Sequence, residues 1–299
     1  MSLFKRLFAG PDQPGWADFL SQSDFRQFVK DLTAALDKCA KPYVLDLPGC
    51  CWRPEGDSDN VYGLINMAQT WRQVNPSERR AYLDGFIASI VNVRQQMGKE
   101  YALADVQEQL RVRLYPLDIL NSAPVLDLKI SDAFITMIAI DFPDTVQSVC
   151  EEQIKAWGFE GREGELYDLA LDQTWKQESV SVSGHELPSG ISIRVVSGDS
   201  FFSASHALLM DRYLVPANPN GALAVIPHRH TFAFYSIEDR KGLEAGIQAL
   251  FPMGRGMFEE GPGSITPELL WWRDGKFTVF PYEDGVIDIP EELWELVGE

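Results

Sequence analysis

The stretch from Gly221 to Tyr235, GALAVIPHRHTFAFY, restricts the fold more than any other part of the chain. Two apolar runs flank Pro-His-Arg-His, and both carry the branched and aromatic residues that favour strands. Local propensity therefore predicts a strand, a polar junction and a second strand. Pro227 lacks the N–H that a ladder needs, so it is expected to end the first strand and make PHRH the turn itself. Arg229 in such a turn is expected to pair with acidic neighbours. Two of the four histidines, His228 and His230, also stand here, which concentrates titratable chemistry at the junction.

Elsewhere helical and extended patterns alternate. Asp24 to Cys39 has Phe25, Phe28, Val29, Leu32, Ala35 and Leu36 on one stripe, with Ser23 as the expected cap. Tyr43 to Leu47 reads as a strand and Val61 to Trp71 as a second extended run. Asn75-Pro76-Ser77-Glu78 has the residues of a helix start, with Asn75 capping and Glu78 reaching back. Strands are predicted at Arg111–Tyr115, Val125–Ile130 and Ala133–Ile140, the last two forming a hairpin through Ser131-Asp132. Asp144 is expected to open a helix that buries Cys150, and a further helix covers Gly164 to Lys176. Strands at Ser179–Ser183 and Ile191–Val196 lead to a helix capped by Ser203. Beyond the PHRH junction, Asp239 to Phe251 reads as a helix. Arg273-Asp274-Gly275-Lys276 joins two apolar runs, and Asp-Gly between such runs is a strong hairpin signal. A short helical tail spans Pro290 to Val297.

The pattern is α+β, with mostly antiparallel sheets and helices packed on one face. A strand pair leads into an amphipathic helix near Asn75, Asp144 and Asp239, which suggests repeated β-β-α units. Three segments follow from it: a helical segment over residues 1–41, a first α+β unit over 42–108 and a second α+β region over 109–299.

Charge narrows the partners. Acidic residues number 44 against 26 basic, a formal net charge of −18. Such a surface repels phosphate backbones and anionic bilayers, so neither nucleic acid nor membrane is the expected partner. It attracts a protein partner of basic character. The N-terminal MSLFKRLFAG is interrupted by Lys5 and Arg6 and stopped at Gly10-Pro11, so no secretory leader is read there. Cys39, Cys50, Cys51 and Cys150 make no CxxC pair, which leaves reduced thiols in a cytoplasmic protein as the expectation.

Few residue sets can carry chemistry. On a straight strand His228 and His230 would share a face, and His206 on the preceding helix could add a third metal ligand. That set is the basis of a metal-dependent or other small hydrolase reading, and a turn at PHRH removes its shared-face geometry. Ser203 and Ser205 lie near His206, but no G-x-S-x-G elbow surrounds them. No glycine-rich phosphate loop is present and no cofactor is indicated. Trp271 and Trp272 are adjacent and point to opposite faces of a strand. One is expected in the core, and Trp272 is a candidate exposed contact beside His228, Arg229 and His230.

The residues GDSFFSASHALLMDRY, followed by GALAVIPHRHTFAFYSIED, an amphipathic helix and an Asp-Gly hairpin, resemble the bacterial family called domain of unknown function 1444 (YtpQ-like). ELYDLALDQT and the segments back to about Arg111 are similar as well, so the resemblance covers about the last two thirds of the chain. This sequence has His230 where that family usually has an acidic residue. The resemblance implies a bacterial, cytoplasmic α+β protein and assigns no substrate, cofactor or catalytic residue. The function expected from residues and resemblance together is a non-enzymatic protein-binding or regulatory module.

Overall fold

The computed structural model of the chain describes residues 12–39, 42–56, 61–96, 101–117, 131–143 and 145–298. It divides into two units, Met1–Lys99 and Glu100–Glu299.

In the first unit, α1 (Gln22–Leu36) begins where the Ser21 hydroxyl, rather than Ser23, accepts the Asp24 N–H at 3.1 Å. Strands β1 (Tyr43–Asp46), β2 (Cys51–Pro54) and β3 (Tyr62–Gly63) form an antiparallel sheet in that order. Two helices follow, α2 (Ile65–Gln73) and α3 (Arg79–Gln96). The extended run expected to reach Trp71 is therefore mostly helical. Leu64, Met67, Ala68 and Trp71 recur at helical spacing, and all four are buried. Phe25, Phe28 and Leu32 share one core with Trp52, Leu64, Trp71 and Leu83. The N-terminal helix and the strands after it thus bury their apolar faces together, with Phe28 edge-on to Trp71 at 5.6 Å.

The second unit opens with α4 (Leu103–Val106) and a three-stranded antiparallel sheet of β4 (Leu110–Pro116), β5 (Phe134–Phe142) and β6 (Thr145–Ser148). The expected strand Val125–Ile130, and with it the Ser131-Asp132 hairpin, lies outside the described residues. The helix expected from Asp144 is a strand over Thr145–Ser148, paired with Ala139–Phe142. The helix starts later, as α5 (Glu151–Ala156), and Cys150 precedes it as an exposed cap residue rather than a core one. Then comes α6 (Glu163–Gln177), close to the expected span. Its Thr174 hydroxyl accepts the Val112 N–H at 2.9 Å, tying helix to sheet.

The larger sheet contains β7 (Ser181–Glu186), β8 (Ser192–Ser197), β9 (Ala222–His228), β10 (Thr231–Ser236), β11 (Leu269–Arg273) and β12 (Lys276–Val279). Its spatial order is β12-β11-β9-β10-β8-β7, and every neighbouring pair is antiparallel. A 3-10 segment, Ser203–Arg212, precedes β9, and α7 (Arg240–Glu260) follows β10. The Asp239 carboxylate caps α7 at the Gly242 N–H, 2.7 Å away. A small hairpin, β13 (Tyr282–Glu283) and β14 (Val286–Ile287), and α8 (Glu291–Leu296) complete the chain.

Both faces of the central strands β9, β10 and β11 are covered. Ala224, Ile226, Phe232, Phe234 and Trp272 pack with Ala204, Ala207 and Met210 of the 3-10 segment. Leu223, Val225, Ala233, Tyr235 and Trp271 pack with Leu243 and Leu250 of α7. Two buried faces explain why the runs ALAVI and TFAFY are continuously apolar rather than alternating. They also mean that hydrophobicity alone cannot hold the register of β9 against β10. Between β11 and β12 turn geometry sets the register, at the Asp-Gly hairpin where Asp274 and Gly275 both have positive φ, 48° and 79°, as the sequence predicts. Among the described residues no helix is long and apolar enough to cross a membrane.

Candidate functional site

The junction between β9 and β10 differs from the turn expected of PHRH. Pro227 and His228 belong to β9, and the turn itself is Arg229-His230. His228 pairs with Thr231, and the next pair is Val225 with Ala233. Ile226 and Pro227 therefore oppose Phe232 alone, which is a β-bulge. A bulge releases one residue from the ladder, so a proline without an N–H is accommodated there. The carbonyls of Ile226 and Pro227 are not wasted: they accept from Thr266 at 3.3 Å and Ile265 at 2.9 Å.

Three separate segments tie down the turn. Arg229 N–H donates to the Gly263 carbonyl, Ala204 N–H to the Arg229 carbonyl and Gly198 N–H to the His230 carbonyl, each at 3.0 Å. This polar tip is thus as fixed as the sheet it extends.

Both tip histidines are used internally. His228 Nδ1 accepts the His230 N–H at 3.3 Å, and its ring lies flat against Gly261, where a Cβ would collide with the imidazole. Burial, then the charges of His230 and Arg229, hold its pKa down at about 4. His230 Nε2 accepts from Arg229 Nε at 3.1 Å, and burial followed by that guanidinium lowers its pKa too. A lone pair engaged by a guanidinium, with that positive charge beside it, is a poor place for a cation.

His206 stands elsewhere. It is 2% exposed, its Nδ1 pairs with Tyr213 Oη at 2.7 Å, and Trp175 packs on it at 5.3 Å. Burial lowers its pKa as well. Among the described residues no group of three or more His, Cys, Asp and Glu side chains is placed to hold a metal ion. The set His206, His228 and His230 is therefore not assembled. Ser203 donates to the Ser200 carbonyl at 2.8 Å and is buried along with Ser205. Burial pushes the thiols of Cys39, Cys50 and Cys51 up, the opposite of a poised thiolate.

Trp272 is not an exposed contact. It is 8% exposed and packed on the 3-10 face, with Trp271 buried on the α7 face. The two residues do point to opposite faces, but both faces of β11 are covered.

The surface feature at the tip is Phe201, which the sequence reading passed over. It is 42% exposed, while its neighbour Phe202 is buried. The Arg229 guanidinium lies 4.0 Å from its ring centroid, that of Arg113 lies 5.8 Å away, and His230 meets it edge-on at 5.8 Å. Arg113 also stacks over Tyr115 at 4.6 Å. β4, the loop before the 3-10 segment and the β9–β10 turn thus bring two guanidiniums to one aromatic ring. The doubled Phe201-Phe202 was the available signal, since only Phe202 of the pair is buried.

The depressed pKa of His228 has a measurable consequence. In the unfolded chain His228 titrates near its ordinary 6.5, whereas in the fold it stays neutral down to about 4. Stability is full above 6.5 and declines as pH falls from 6.5 toward 4, because the unfolded state takes up the proton first. Between about pH 7 and pH 5 the loss from this residue alone is about 2 kcal/mol. His206 and His230 shift in the same direction and add to it. Urea unfolding of the wild type and of His228→Gln at the two pH values checks this. The variant's dependence should be shallower, and equal slopes would contradict it.

No family model matches this chain, and neither the curated proteins nor the solved structures contain a match to it.

Proposed function

We propose that this chain is a non-enzymatic protein-binding module that docks through the tip of the β9–β10 hairpin, with Phe201 as its anchor. One observation carries the reading. Phe201 is a large apolar ring left 42% exposed, with the guanidiniums of Arg229 and Arg113 at 4.0 Å and 5.8 Å from its centroid. Aromatic and arginine side chains dominate the energetics of protein interfaces, because they bury much area with few rotors to freeze. The net charge of −18 sets a long-range field that attracts a partner of basic surface. The partner segment seated on the tip presents an apolar side chain to the Phe201 ring.

A non-catalytic role is supported by the fate of the three histidines: His206 stands apart from His228 and His230, and each has one ring nitrogen engaged inside the fold. A bacterial cytoplasmic setting, as the resemblance to the domain of unknown function 1444 implies, agrees with free thiols at Cys39, Cys50, Cys51 and Cys150.

Affinity capture from a bacterial lysate tests the reading when wild type, Phe201→Ala and Val286→Ala are compared. Val286 is an exposed apolar residue on the β13–β14 hairpin and serves as the control. A partner retained by wild type and Val286→Ala but lost by Phe201→Ala is the expected result. The same set of proteins recovered by all three would remove Phe201 as the anchor.

A further inference from the structure

At the other end of β10 from the Arg229-His230 turn, the sheet face bearing Phe234 carries a cleft of about 480 Å³. Its floor is Arg194 of β8 with Phe234 and Ser236 of β10, and its far wall is the loop from Leu214 to Asn220. That loop is pinned. Asn218 Nδ2 donates to Ser236 Oγ and to the Ile237 carbonyl, both at 2.8 Å, and its Oδ1 accepts the Asn220 N–H at 2.9 Å. Asn220 Nδ2 reaches the same Ile237 carbonyl at 3.2 Å. The cleft is therefore formed before anything enters it, and these amides are already spent on holding it.

Arg194 is what remains to select a ligand. Its Nη1 donates to the Tyr213 carbonyl at 2.7 Å, and its guanidinium sits 5.3 Å from the Phe234 centroid, which fixes its orientation. Among the described residues it makes no salt bridge. Arg111, on β4, by contrast has Glu178. A guanidinium that is oriented but unneutralised, in a chain with 44 acidic residues, is an anion-binding group. The apolar part of the lining includes Leu214, Val215 and Pro216. Glu238 is exposed and also lines it, so a second negative charge on the ligand is disfavoured.

We propose that this cleft binds a small monocarboxylate bearing an apolar group, with the carboxylate on Arg194 and the apolar group against Val215 and Pro216. A free organic acid and the C-terminal carboxylate of a peptide offer the same chemistry. The site is separate from the hairpin tip and does not depend on Phe201.

Isothermal titration of the full chain tests it with three probes: N-acetyl-leucine, an N-acetylated alanine-rich peptide ending in leucine with a free carboxylate, and neutral N-acetyl-leucinamide. Both carboxylates should bind saturably, with the amide at least about tenfold weaker. Tighter binding of the peptide would identify a chain terminus as the source, and equal binding a free acid. Arg194→Gln should weaken the carboxylates by at least about tenfold, with partial recovery in Arg194→Lys. Val215→Asp should weaken them too, and since Val215 is 79% exposed this variant leaves the fold intact. Phe201→Ala should bind like wild type. No saturable binding of either carboxylate, equal binding of the amide, or undiminished affinity in both Arg194→Gln and Val215→Asp would overturn the proposal.

Discussion

Replacing Gly221 with alanine is expected to lower the unfolding free energy by about 3–5 kcal/mol. Gly221 has a φ of +73°, where an L side chain is strained. A methyl group there would also coincide with the Trp272 carbonyl oxygen and crowd Trp271 Nε1 and the Arg273 Cβ. The neighbour that would have to yield is backbone. Trp272 is held by its pairing with Ala222 in the middle of the six-stranded sheet, so it cannot move without breaking the β9–β11 ladder. Gly221 itself is fixed from both sides, its N–H on Asn218 at 3.0 Å and its carbonyl on the Ile237 N–H at 3.1 Å. The comparison is Gly256→Ala, in α7, where an added methyl meets nothing within 4 Å. Alanine in a helix interior gains about 0.5–1 kcal/mol over glycine, so this variant should be neutral or more stable. Urea unfolding followed by tryptophan fluorescence reads both, and two variants of equal stability would contradict the account of β9.

The second large effect is expected at Arg111 and Glu178. Their side chains are 8% and 7% exposed, and Nε meets Oε1 at 2.5 Å. Arg111 Nη1 also donates to the carbonyls of Glu108 at 2.6 Å and Leu110 at 2.8 Å. Removing one partner leaves the other charge buried, which costs about 3–5 kcal/mol. The surroundings add to this. Asp141 has its pKa raised by burial and by Glu178, and lowered by Arg111 and Arg113. Arg111→Met would therefore leave two carboxylates short of a cation. Removing both partners at once, as Arg111→Met with Glu178→Leu, should recover most of the loss, because well-packed apolar residues replace a buried pair at little net cost. A double-mutant cycle on unfolding free energies measures the coupling. Additive single losses would mean that the two charges do not depend on each other.

Much of the architecture was legible because local signals agreed with tertiary packing. The Asp-Gly turn, the Asp239 cap and the α6 span each carry their own chemistry in a few adjacent residues. Failures came where the deciding partner was distant. Ile65–Gln73 reads as extended until Trp71 is seen to need the same core as Phe28. Thr145–Ser148 is a strand because β5 runs beside it, which outweighs a helix-like stripe. Pro227 is tolerated inside β9 only because a bulge frees it from the ladder. The candidate site was the least legible feature. The histidines drew attention by residue type, yet their lone pairs and burial assign them to structure. Phe201, Arg113 and Arg229 come from three separate segments, and only the fold brings them together.

Phe201, beside the guanidinium of Arg229, is the proposed anchor of a protein interface. Once capture has supplied the partner, calorimetric titration of purified partner against wild type and Phe201→Ala tests the claim most directly. Loss of a central aromatic anchor costs about 2 kcal/mol or more, so affinity should fall roughly thirtyfold or further while the thermal unfolding midpoint is preserved. An affinity that stays within about twofold of wild type would place the interface elsewhere on the molecule.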